Sequence, residues 1–62
     1  MSSTDKEVIL ALADNNMNIS AAATSLFMHR NNVEYHIRRI KQITGLDAKN
    51  FYDLIKLVNM TG

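Results

Sequence analysis

No cysteine occurs in this 62-residue chain, and that absence constrains the fold more than any residue present. A chain so short lies near the lower limit at which one hydrophobic core supports a fold without disulfides or a metal. Lacking thiols, it has neither a disulfide framework nor a thiolate metal site, so packing alone must hold it together. Apolar residues make up 47% of the sequence, enough for one compact core and a single domain over residues 1–62. Proline is absent and glycine occurs twice, which favours helices joined by short turns over hairpins. The expected fold class is therefore all-α. No stretch approaches the roughly 20 apolar residues that span a bilayer, and the start Met1-Ser2-Ser3 lacks the basic and apolar regions of a signal peptide. A cytoplasmic setting is expected.

The net charge of +1 conceals an uneven distribution. Residues 1–28 carry Lys6 against Asp5, Glu7 and Asp14, a balance of −2. Residues 29–45 carry Arg30, Arg38, Arg39 and Lys41 against Glu34, a balance of +3, and residues 46–62 cancel. The basicity is local, as a polyanion partner would require.

Periodicity divides the chain into four helical segments. Thr4 and Glu7 have the spacing of a capping box, which predicts a first helix from about Asp5 to Asp14 with Val8, Ile9 and Leu12 on its inner face, stopping at Asn15-Asn16. Asn18 is a good N-cap for a short second helix, in which Ile19, Ala22, Ala23 and Leu26 recur on one face. The run Ala21 to Ala23 lets another helix approach closely. After Phe27-Met28-His29 the pattern resumes at Val33, Ile37, Ile40 and Thr44, predicting a third helix from about Arg30 to Thr44 that ends at Gly45. Asn50 then caps a fourth segment with Phe51, Leu54, Ile55 and Val58 in register. The four make a small four-helix domain.

A short Ala-rich helix and a longer basic one, about three residues apart, describe a helix-turn-helix over about residues 18–45. At 100° per residue, Ile37, Ile40 and Thr44 lie within about 40° of Val33, whereas Asn31, Tyr35, Arg38, Arg39 and Gln42 lie between about 140° and 240° from it. All five outer residues can hydrogen-bond. Arg suits phosphates and guanine edges, Asn and Gln suit adenine, and Tyr donates to phosphate.

The runs His29-Arg30-Asn31-Asn32-Val33, Tyr35-His36-Ile37-Arg38-Arg39-Ile40 and Ile43-Thr44-Gly45-Leu46-Asp47 resemble the C-terminal helix-turn-helix of the PucR/CdaR-like transcriptional regulators. Asn18-Ile19-Ser20-Ala21-Ala22-Ala23 is similar to that family's start of the motif, and the Fis-type helix-turn-helix is a looser relative. The resemblance implies a DNA-binding domain from the C-terminal end of a larger regulator, whose upstream domains sense a metabolite. It implies a recognition helix over about residues 30–44 placed in the major groove. Arg30, Asn31 and Asn32 stand nearest the DNA, Tyr35, Arg38 and Arg39 further along, and His29 and His36 complete the candidate set. Asn32 stands where Thr is usual in the family and His36 where Arg is usual. Both replacements bear on which sequence is read. Phe27 occupies a turn position that is Gly in many helix-turn-helix motifs, and a positive φ there costs on the order of 1 kcal/mol.

Simpler explanations cover part of this set. Arg38, Arg39 and Lys41 could merely complement a helix C-terminus. Arg30 does not fit that explanation, because it lies in the first turn, where a cation opposes the macrodipole but an anion is favoured. His29 suits an N-cap or turn, and His36 lies at the edge of the apolar face. The two are seven residues apart with no Cys or paired acid, a poor zinc site. No cofactor is expected, and no nucleophile with a nearby base or Gly-rich phosphate loop suggests an enzyme. The alternative function is a helical protein–protein interaction or dimerisation module, supported by Tyr52, Leu57 and Met60 on the last helix and by Met17 and Met28. Double-stranded DNA is the expected partner, and the helices outside the recognition helix are the candidate surface for a homodimer.

Overall fold

The computed structural model describes residues 1–61. Among these it contains four helices, α1 (Ser3–Asp14), α2 (Ile19–Ser25), α3 (Arg30–Thr44) and α4 (Phe51–Thr61). α1 is the hub: its backbone lies against each of the other three. α2 crosses α3, and the backbone of α4 lies against α1 alone.

The first helix starts earlier than the Thr4/Glu7 spacing suggests. Its capping box is Ser2 with Asp5: the Ser2 hydroxyl accepts from the Asp5 N–H at 3.1 Å, and Asp5 Oδ2 accepts from the Ser2 N–H at 3.1 Å. Glu7 is exposed. Ser2 and Asp5 have the same local spacing as Thr4 and Glu7, and the Asp5 carboxylate that closes this box also receives donors from α3.

Val8, Ile9, Ala11 and Leu12 of α1 meet Ala22 and Ala23 of α2 and Val33, Ile37 and Ile40 of α3 in one core. Ala22 is fully buried and Ala23 nearly so, as a close helix crossing requires. Asn18 caps α2, its side chain accepting from the Ala21 N–H at 3.0 Å. The connection from α1 reverses at Asn16 and Met17, both at positive φ, and closes with Met17 N–H donating to the Leu12 carbonyl at 2.7 Å. Gly45 ends α3 at φ 76°, its N–H bonded to the Lys41 carbonyl.

Asn50 caps α4, accepting from the Asp53 N–H at 3.1 Å, but the buried face of α4 is rotated from the expected stripe. Leu57, expected as outer apolar surface, is fully buried beside Leu54, whereas Phe51 and Ile55 are exposed. Ala48 and Leu54 complete this end of the core. The expected stripe and the observed one are adjacent on a helix whose apolar residues extend beyond one stripe, so periodicity could not choose between them. Docking against α1 did.

Candidate nucleic-acid interface

The turn that delivers α3 is Leu26-Phe27-Met28-His29. Phe27 takes φ 56°, and the Met28 N–H returns to the Ala23 carbonyl at 2.9 Å. Met28 packs partly buried against the core. His29 is the N-cap, its Nδ1 accepting from the Asn31 N–H at 3.1 Å. That role needs an unprotonated Nδ1 and leaves Nε2–H as the ring's donor.

Arg30, Asn31 and Asn32 are exposed in the first turn of α3, and Tyr35, Arg38, Arg39 and Gln42 are exposed along the side opposite Val33, Ile37 and Ile40. Glu34, the single acid on this helix, is paired at the edge of the face with Lys49 at 3.8 Å. Among the described residues, Arg30, Arg38 and Lys41 form no ion pair. The face thus presents unpaired cations and amide groups next to a helix N-terminus, an arrangement that attracts phosphate and can also hydrogen-bond base edges.

Two of the eight candidate residues are also tied inward. His36 Nδ1 lies 2.7 Å from Asp5 Oδ1, and Arg39 Nε lies 3.1 Å from Asp5 Oδ2. The His36 ring meets Tyr35 edge-on at 5.2 Å. Asp5 is fully buried. Burial alone would raise its pKa, but hydrogen bonds from His36, from the Ser2 backbone and from Arg39, with Ser2's side chain adding to them, hold it down at about 2. Arg39 is shifted up in turn, chiefly by its hydrogen bond and charge interaction with Asp5. Sequence reasoning missed Asp5 as part of this site. Its distance of three from Ser2 signals a cap, but nothing local signals partners 31 and 34 residues away.

Among the described residues no group of three or more His, Asp or Glu could hold a metal, and no helix is long and apolar enough to cross a membrane. A groove of about 440 Å³ between the end of α1 and α4 is lined mainly by apolar side chains, among them Met17, Phe51, Ile55 and Val58.

Residues 6–58 match the PucR C-terminal helix-turn-helix domain. A 42-residue stretch is 50% identical to the carbohydrate diacid regulator of Escherichia coli (strain K12), covering 64% of this chain and 11% of that protein. No solved structure matches. The match to the domain contains the whole of α2, α3 and the turn between them, and the chain belongs to the PucR C-terminal helix-turn-helix domain family, a class of regulator domains rather than of enzymes.

Proposed function

We propose that this domain binds double-stranded DNA sequence-specifically, with α3 in the major groove and its N-terminal end deepest. The observation that carries the reading is the exposed face of α3, where Arg30, Asn31, Asn32, Tyr35, Arg38 and Arg39 stand outward and no unpaired carboxylate interrupts them. Arg30 and the Asn pair read base edges. Arg38, Arg39 and Tyr35 hold phosphates, with His29 and His36 flanking them. The relative's much greater length supports reading this domain as one part of a longer regulator.

The deciding experiment is a fluorescence-anisotropy titration with duplex DNA across salt concentrations. Binding should weaken steeply, the log–log slope falling by roughly 0.9 per phosphate neutralised. Arg30→Ala should leave the melting temperature equal or slightly higher, since a cation in the first turn opposes the helix dipole. A bidentate guanine contact is worth roughly 1 to 3 kcal/mol, so affinity for a selected operator should fall at least about tenfold. Salt-insensitive or absent binding would remove the reading.

A specific observation favours a second contact surface. Phe51, Tyr52 and Ile55 leave an exposed, uncharged strip on α4 beside the groove to Met17, and the backbone of α4 lies against α1 rather than against α3. A second copy docked there through apolar side chains leaves both recognition helices free for two half-sites. Sedimentation equilibrium should show self-association that Ile55→Glu abolishes.

A further inference from the structure

Asp5 presents no atom to DNA, being the single fully buried charged residue among those described. A helix cap needs no such burial, since a capping carboxylate does its work in water. Here the two oxygens are divided between the local cap and two donors from a distant part of the chain. Oδ1 faces His36 Nδ1 at 2.7 Å, while Oδ2 accepts from the Ser2 N–H and from Arg39 Nε, each at 3.1 Å. His36 therefore sets the carboxylate plane, and that plane presents Oδ2 to Arg39.

The point of attachment matters. A guanidinium has five N–H donors in a fixed fork, and Asp5 takes only the one on Nε. The four on the two Nη atoms stay unclaimed by Asp5, on a side chain that remains 43% exposed. Nε is also the position from which a single bond fixes the fork's direction with least loss of binding capacity. An arginine held this way has surrendered its rotamer freedom before a ligand arrives, which removes a cost otherwise met on binding.

We propose that Asp5 is a positioning residue for DNA binding: from the first turn of α1 it grips Arg39 through Nε and aims the Nη groups at a backbone phosphate. The proposal rests on the DNA reading given above. It opposes a simple electrostatic expectation, in which a carboxylate near the interface only repels phosphate and its removal tightens binding.

A double-mutant cycle separates the two. Affinity for one mixed-sequence duplex, at fixed salt and with folding verified by circular dichroism, is measured for wild type, Asp5→Asn, Arg39→Ala and the double variant. Asp5→Asn should weaken binding about three- to tenfold when Arg39 is present and less than about twofold when it is absent, the signature of coupled residues. Equal or tighter binding by Asp5→Asn, or the same loss in both backgrounds, overturns the proposal. If Asp5→Asn does not fold, Arg39→Lys decides. An ammonium held by Asp5 has no fork left to offer, so Lys should bind within about twofold of Arg39→Ala, and wild-type affinity in the Lys variant overturns the proposal. Wild type that shows no salt-dependent binding removes the DNA reading and this proposal together, whereas normal wild-type binding with an unaffected Asp5→Asn removes this proposal alone.

Discussion

Phe27 is 98% exposed at φ 56°, so it carries a backbone cost with no burial to offset it. Met17 has a similar φ of 65°, but its side chain packs against the core. The left-handed region costs a non-glycine residue roughly 1 to 2 kcal/mol, and Asn is several-fold enriched there. Phe27→Asn should therefore stabilise the domain by roughly 0.5 to 1 kcal/mol, a rise of a few degrees in melting temperature for a chain of this size. A lower melting temperature would show that the ring makes a stabilising contact in solution. The positive φ follows from the turn itself, and the sequence placed Phe27 at the right point to expect it. The near-complete exposure of an aromatic ring was not legible, because it depends on where the neighbouring helices end.

α2 has seven residues, too few to be stable as an isolated helix. It persists because Ala22 and Ala23 seat it against α3 with almost no side-chain bulk between the backbones. Enlarging the fully buried Ala22 to Leu should force the two motif helices apart and cost roughly 1 to 3 kcal/mol, measured as a drop in denaturation midpoint. Unchanged stability would mean that the crossing is looser than the burial of Ala22 indicates. The limits of α3 were legible from sequence because both of its ends are set locally, by His29 at the start and by Gly45 at the end. Gly45 would meet nothing within 4 Å if it carried a Cβ, so its φ of 76° alone explains the choice. The inner face of α4 was not legible. Apolar residues surround most of that helix, and only its contact with α1 buries Leu57 and leaves Phe51 and Ile55 outside.

For the molecule as a whole, Asp5 ties the start of α1 to the middle of α3, and this tie should govern acid stability. Its pKa is lowered on folding from 3.8 to about 2, so its contribution is complete above 3.8 and is lost as pH falls from there toward 2. A shift of that size corresponds to roughly 2 kcal/mol. Chemical denaturation between pH 5 and pH 2 should show that loss in wild type and a flatter profile in Asp5→Asn. Equal profiles would assign acid unfolding to other carboxylates. Protonation of folded Asp5, at the lower end of that window, removes the negative charge that His36 and Arg39 share, so the side chains of α3 should loosen there.

Local signals alone determined the helical class, the N-caps at Asn18 and Asn50, the extent of α3 and the outward set Asn31, Tyr35, Arg38, Arg39 and Gln42. Helix periodicity and capping act over three or four residues, and that range is written in the chain. Tertiary structure decided the buried face of α4, the burial of Asp5 and the double engagement of Arg39, outward on an exposed face and inward on Asp5. Each depends on groups more than a helix apart, and a buried carboxylate is tolerable only where distant donors converge on it. No local pattern records that convergence.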